Sequence, residues 1–487
     1  MILSDLPALL PIIIVAVAAV VVMLSAAFHR SHVLAAAITV IALAAVVATL
    51  PIAASRAPRQ ITPLAIVDAF AIFYMGLICA ASLAVALFAY DYWKSRTQRP
   101  EEFYVLLLLA TLGSLVLVSA SHFASFFLGL EILSVALYAL IAYRRPSLVG
   151  IEAGLKYLVL AATSAAFLLF GMALVYAESG ALSFAEIARA CSAPGTSTAI
   201  LLAGFALMIV GIGFKLALVP FHLWTPDVYQ GAPAPVTAFI ATVSKGAMFA
   251  VLLRLFRQLN LEADSPVLLA FAVIAVASMF AGNLLALLQE NVKRILAYSS
   301  IAHLGYLLVA FLASGPLADA AVAYYLTAYV ITTLGAFGVV GMLSEGNRDA
   351  DRLTDYHGLA WRRPWPAAVM TTMLLSLAGI PLTAGFVGKF YILAAGTSSR
   401  LWWLVLILVV NSAIGLFYYL RVMIVMFAPA ASTPLRVLAE DDLPHQKVWA
   451  LPLVNITLIV LTIAVVWLGV DPTPLIRTIT GLVLGEN

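Results

Sequence analysis

Apolar stretches of about twenty residues follow one another along almost the whole chain, and no other feature constrains its fold as strongly. A bilayer core of ~30 Å takes about 20 apolar residues in a helix. On that ruler the predicted spans are Pro7–Phe28, Val33–Ala54, Leu64–Tyr90, Phe103–Ser121, Phe123–Tyr143, Gly154–Ala177 and Thr198–Thr225. They continue with Pro233–Phe256, Pro266–Leu288, Ile295–Ala313, Ala318–Ser344, Pro366–Ala395, Leu401–Phe427 and Trp449–Leu468. The chain of 487 residues is 64% hydrophobic and 10% charged, whereas soluble domains run at about 45–50% and about 25%. The expected class is an all-α polytopic membrane protein of about fourteen transmembrane helices.

The sequence MILSDLP lacks a basic leader region, so the first apolar run is expected to be a retained helix. Of the 26 Lys and Arg, roughly 14 fall in one set of alternating loops, about 7 in the other and about 5 within spans. The rich set includes Lys94, Arg96, Arg99, Arg144, Arg145, Arg348, Arg352, Arg362 and Arg363. Those loops are expected to be cytoplasmic, with both termini on the opposite, periplasmic side. Cys79 and Cys191 stand far apart and make no metal or haem motif. No phosphate loop is complete around Gly388-Lys389, and Gly211-Ile-Gly213 follows no strand, so neither nicotinamide nor flavin binding is expected. Asn455-Ile-Thr457 fits a glycosylation pattern but falls inside a span.

Two spans read as broken. Thr198–Thr225 contains Gly211, Gly213 and Pro220, and Pro366–Ala395 contains Gly379, Pro381, Gly385 and Gly388. A proline inside a helix frees a carbonyl, here that of Leu216 or Leu377, and in lipid a freed carbonyl needs a partner. Each broken span carries a lysine, and the two lie five spans apart, which suggests two repeats of about five helices.

Five ionisable residues fall near mid-span: Glu131, Lys215, Lys245, His303 and Lys389. A central Lys or Asp costs about 2.5–3.5 kcal/mol on insertion scales, so four such charges cost on the order of 10 kcal/mol unless paired or hydrated. A buried lysine can be brought down from about 10.4 to near neutrality, and a carboxylate at ~6 Å supplies about 3 kcal/mol of attraction at an effective dielectric of ~20. A Glu131–Lys215 pair that forms and breaks would thus switch a lysine between holding and releasing a proton. Neighbouring helix axes lie ~8–10 Å apart, so water must bridge between side chains. Ser244, Thr242, Tyr306, Thr332, Thr333 and Tyr391 are the expected polar liners, with packing as the competing role of each. Lys156 near a helix start, and His222 just after Pro220, are further candidates, with snorkelling and a satisfied loop histidine as the alternatives. Lys293 and Arg294 at a helix entrance fit the charge bias of the loops, and Asp68 fits a helix start.

The stretch GIGFKLALVPFHLWTPDVYQGAPAPVTAFIATVSKGAMF, from Gly211 to Phe249, resembles the signature of the antiporter-like subunits of respiratory complex I. FLGLEILSVALYAL around Glu131, NVKRILAYSSIAHLGY around His303 and GIPLTAGFVGKFY around Lys389 support it. The resemblance implies fourteen helices with two inverted five-helix repeats and discontinuous seventh and twelfth helices. The implied divisions are residues 1–100, 101–260, 261–428 and 429–487. It also implies Glu131 and Lys215 as an input pair, Lys245 and His303 as a hydrated central axis, and Lys389 as the terminal proton-handling residue, with Lys156 matching a family lysine. Lysine at the twelfth helix is similar to subunits N and L rather than M, and about twenty residues after the last span are too few for the lateral helix of L. The N-type pattern is therefore the best fit.

That resemblance implies a non-redox subunit of an NADH:quinone oxidoreductase in a bacterial inner membrane. It would bind no cofactor or metal and no nucleic acid. FMN, iron–sulfur clusters and quinone would belong to partner subunits, and its neighbours would be subunits M and K and the lipid bilayer. A subunit of a multisubunit cation/proton antiporter or a membrane-bound hydrogenase shares the same motifs, and a structural scaffold is the third reading. Lysines suit proton exchange better than a sodium path.

Overall fold

The computed structural model describes residues 6–429 and 452–483, except 95, 97, 98, 145, 146, 193–197, 260, 262–264 and 347. Arg145 and most of the 429–451 loop therefore lie outside the described residues. Helices α1 Leu6–Phe28 and α2 His32–Ala54 lead to a hairpin of β1 Arg59–Thr62 and β2 Ala65–Val67. Then come α3 Ala69–Trp93, α4 Pro100–Ser119, α5 Phe123–Ile141, α6 Leu148–Ser179, the short α7 Phe184–Cys191 and α8 Thr198–Leu216. After α9 Trp224–Gly231, helix α10 Ala234–Phe239 passes through a π-helical turn, Ile240–Ser244, into α11 Lys245–Leu259. The second half holds α12 Pro266–Leu287, α13 Val292–Leu312, α14 Pro316–Leu343, α15 Leu359–Arg362, α16 Pro364–Ala378 and α17 Ala384–Ser398. It closes with α18 Trp402–Phe427, α19 Pro452–Val470 and α20 Thr473–Val483.

Among the described residues, 13 helices are long and apolar enough to cross a membrane, with Ala234–Leu259 taken as one. The pair α16 and α17 adds one broken crossing, which matches the fourteen expected spans. Burial sorts these helices by depth. The stretch Ala234–Leu259 is wholly buried and α13 almost so, while only about a third of α1, α2, α18 and α19 is buried and the rest is partly or fully exposed. Apolar side chains exposed in this way are what lipid demands and water does not. Exposed Trp361 and Trp365 near one end, and Trp402 and Trp403 near the other, provide the amphipathic belts of a bilayer's two interfaces.

Contacts between loops confirm the alternation of faces. Ala65 bridges Ala120 and His122 bridges Ser183 on one face, whereas Asn291 bridges Arg352 on the basic face. Asp68 caps α3 by accepting from Ala71 N at 2.8 Å, the helix-start role expected of it. Its carboxylate is also held by both terminal nitrogens of Arg254, at 2.7 and 2.8 Å. This bidentate pair ties α3 to α11 beneath the hairpin.

Three unbroken crossings, one broken and one intact occur in order from α4 to α11, and again from α12 to α18. Lys215 ends the first half of the earlier broken helix, whereas Lys389 lies in the second half of the later one. The earlier break comes at Ala217, before the proline expected to cause it. Ala217 has φ +60°, and Leu218 N donates back to Gly213 O at 2.8 Å. The carbonyl taken up by a side chain there is that of Phe214, which accepts from Trp224 Nε1 at 2.9 Å.

Candidate functional site

Lysine ammonium groups enter a helix bundle only where fixed acceptors replace water. Lys215 is 3% exposed and donates to Ser134 Oγ at 2.7 Å and Tyr157 Oη at 3.2 Å. Its ammonium also faces the Tyr157 ring, 5.0 Å from the centroid. Ser134 stands one turn beyond Glu131 on α5, on the same face, and its hydroxyl accepts from Lys215 while donating to Leu130 O. Glu131 and Lys215 interact electrostatically, yet among the described ion pairs they do not form a direct one. Glu131 Oε1 is buried without a hydrogen-bond partner. The input pair expected from sequence is therefore within electrostatic reach but not in direct contact.

Lys245 follows the π-helical turn directly, where the helical ladder is locally widened. Such single π turns recur at functional positions. The lysine is fully buried and donates to Ser300 Oγ at 2.6 Å, and Ser300 lies 2.6 Å from Tyr329 Oη. The ring of Tyr229 lies under the ammonium at 5.5 Å. Ser300 and His303 share one face of α13. His303 Nδ1 meets Tyr325 Oη at 2.7 Å and its Nε2 meets Tyr419 Oη at 3.0 Å. Tyr419 in turn contacts Ser299 Oγ. The histidine is held at both nitrogens by hydroxyls, each able to give or accept a proton. Lys245 and Lys389 both act on it electrostatically.

Lys389 closes the row. Its ammonium donates to Ala378 O at 2.9 Å and Ser412 Oγ at 2.8 Å, and lies 5.4 Å from the Tyr306 centroid. Ala378 is the last residue of α16, so the lysine itself takes up a carbonyl freed by the broken helix. The chain turns there through Gly379, φ +82°, where a Cβ would stand 2.7 Å from Lys389 Cδ. Gly385 approaches Ser376 so closely that a Cβ would lie 1.9 Å from its carbonyl oxygen. Only glycine permits these two positions, which explains the glycines read along this span.

The structure thus sets Glu131 within electrostatic reach of buried Lys215, and buried His303 within reach of both Lys245 and Lys389, as a row of largely buried groups. It places Lys156 elsewhere. Lys156 is 44% exposed and pairs with Glu152 at 2.8 Å and Asp227 at 2.9 Å, and Asp227 also holds Arg294 at 2.8 Å. His222 is buried in the break between α8 and α9 with Nδ1 unpartnered. Of the expected liners, Tyr306 accepts from Asn283 Nδ2 at 2.8 Å, and Thr332 meets Ser376 at 3.1 Å. Thr242 instead bonds its own helix at Ala238 O, 2.6 Å away. Sequence reading passed over Ser134, Tyr157, Ser300, Tyr325, Tyr329, Ser412 and Tyr419. The signal for two of them was present: Ser134 and Ser300 each stand three positions from a residue already singled out.

The family model described as NADH:quinone oxidoreductase/Mrp antiporter, TM, matches residues 120–415, more than half of the chain. A chain of respiratory complex I from Thermus thermophilus, solved with bound aureothin, is 33% identical, with TM-score 0.79 over 96% of this chain and 98% of that one. A chain of the membrane-bound sulfane sulfur reductase, an archaeal respiratory membrane complex, has TM-score 0.82 at 24% identity over 98% and 96%. A chain of the Mrp complex from Dietzia sp. DQ12-45-1b has TM-score 0.82 at 22% identity over 97% and 96%. The last two likenesses establish the fold alone.

Proposed function

The chain belongs to the NADH:quinone oxidoreductase/Mrp antiporter transmembrane family, and from that premise we propose that it is the N-type proton-translocating membrane-arm subunit of an NADH:quinone oxidoreductase. The observation that carries this reading is the set of buried lysines and a buried histidine, each held by hydroxyls. Each ammonium has at least one hydroxyl within 2.8 Å, Ser134 for Lys215, Ser300 for Lys245 and Ser412 for Lys389. A hydroxyl that accepts one proton can release another, so these contacts suit relay better than static pairing.

In this reading electrons never enter the chain. Flavin, iron–sulfur clusters and quinone sit in partner subunits, and this subunit itself binds no cofactor. Its partners are membrane-arm neighbours of the M and K types, its site is a bacterial inner membrane, and its basic loops face the cytoplasm. A change arriving from the neighbouring subunit acts first on Glu131. Drawing the carboxylate toward Lys215 favours the protonated lysine, and drawing it away favours proton release toward Tyr157 and Lys245. Lys245, His303 and Lys389 repel one another as cations, so loading one end of the row favours release at the other.

The sharpest competing assignment is a cation/proton antiporter assembly, whose fold is shared. Tagging the chain, extracting it in mild detergent and staining a native gel for NADH dehydrogenase separates the two. The expected result is a very large band that oxidises NADH. A smaller, non-staining assembly carrying the tag overturns the proposal in favour of the antiporter.

A further inference from the structure

A second buried lysine system lies outside the row, at the basic face. Lys293 opens α13 and is fully buried, yet it donates to Asp349 Oδ2 at 2.7 Å and Ala232 O at 2.6 Å. Asp349 is itself 7% exposed and accepts from Tyr92 Oη at 2.6 Å, with Arg144 Nη1 at 3.8 Å. Position by the loop charge bias does not require a lysine to be buried, because an ammonium serving that bias can snorkel into water. A buried pair of this kind also stabilises weakly relative to apolar packing. The pair is placed as if for access: Asp349 lines two cavities open to the basic face, of about 360 and about 200 Å³.

We propose that Lys293 and Asp349 form the proton inlet of this chain, taking protons from the basic face and passing them to the Lys245 end of the buried row. The inference rests on the proton-translocation reading above. Lys293 and Ser300 stand seven residues apart on α13, two turns or about 10 Å along one face, and Ser300 holds Lys245. Small, fully buried Ala297 lies between them on that face. The inlet requires a few bridging waters across that gap.

The steps balance. The Lys293 ammonium gives its proton through water to a neutral Lys245, leaving a neutral amine beside a carboxylate. With that positive neighbour gone, Asp349 takes a proton from water in the cavities and hands it to Lys293, which restores the pair. Burial raises Asp349, but Lys293, Tyr92 and Arg144 together outweigh it and hold the carboxyl below the usual range. Discharge of Lys293 removes the largest of those three influences, which is what makes the carboxylate a proton acceptor at that moment. Arg348, Asp351, Arg352, Glu345, Asp355, Arg362 and Arg363 line the two cavities with Asp349, and Tyr356 feels its charge.

The test uses the intact complex in proteoliposomes, measuring NADH-driven proton uptake from the basic face per assembled complex. Asp349→Ala removes the carboxyl and leaves room beside the cavities for formate. The expected result is a fall of at least about ten-fold, with a substantial part restored by added formate. Lys215→Met, assayed alongside, should lose uptake that formate does not restore. Wild-type uptake by Asp349→Ala, or a loss that formate leaves unchanged, overturns the inlet. If Asp349→Ala does not assemble, Asp349→Asn, which keeps an acceptor for Tyr92, decides: assembled complex with wild-type uptake overturns the inlet, and assembled complex with the ten-fold loss supports it. Normal uptake by Lys215→Met would instead sink the translocation reading itself.

Discussion

Lys215→Met should lower NADH-driven proton uptake by at least about ten-fold, since a positioned proton-transfer group contributes on the order of 10²–10⁴. Methionine fills a similar apolar volume, so packing against Tyr157 and Phe214 is largely kept while the ammonium is lost. Ser134 still donates to Leu130 O at 2.5 Å, so removing the lysine does not strand that hydroxyl. Complex should therefore accumulate normally, as read by a native gel, and the loss should appear in proton flux. Glu131→Gln should weaken uptake as well, because the carboxylate acts on Lys215 through space rather than by a direct bond. Wild-type flux in both variants would remove Glu131 and Lys215 from the pathway.

Much of this arrangement could be read from the sequence, and the parts that could not have physical reasons. Apolar runs set the crossings because a bilayer core has one thickness. Glycines and prolines announced the broken helices, since a backbone free to bend in lipid is rare and needs partners. Where each freed carbonyl finds its partner was not legible. Phe214 O is taken by Trp224 and Ala378 O by Lys389, and both depend on how the chain folds back after the break. The buried charges stood out by cost alone, but the groups between them did not. Ser134, Ser300, Tyr325 and Tyr419 are ordinary helix residues until the bundle aligns them. Lys156 illustrates the converse. Its match to a family lysine is a matter of position along the chain, while packing turns it outward to Glu152 and Asp227.

Arg254→Leu should be the most damaging substitution for the fold. Arg254 is 7% exposed and donates to both oxygens of Asp68 and, at 3.2 Å, to Val118 O. Removing one partner of a buried ion pair costs about 3–5 kcal/mol, and with the Asp68 side chain 24% exposed the cost here falls toward the lower end. Asp68 also caps α3, so the strain falls where the first three helices meet the rest of the bundle. The expected result is a large fall in assembled complex and in the melting temperature of what remains. Equal yield and melting temperature would show that the pair contributes little. Acid should act in the same direction. Burial pushes the Asp68 carboxyl up, but the hydrogen bonds and charge of Arg254 outweigh it and hold it below 3.8. Its stabilisation is thus complete above the ordinary carboxylate range and is lost as pH falls through the lowered value.

The central claim is that protons cross through the buried row, and Lys245 is the residue on which its two halves meet. The most direct measurement is the initial rate of NADH-driven proton uptake by Lys245→Met complex in proteoliposomes, per assembled complex. The account predicts a fall of at least about ten-fold, because no other ammonium bonds Ser300 in the described structure. Uptake at the wild-type rate, from a fully assembled complex, would contradict it.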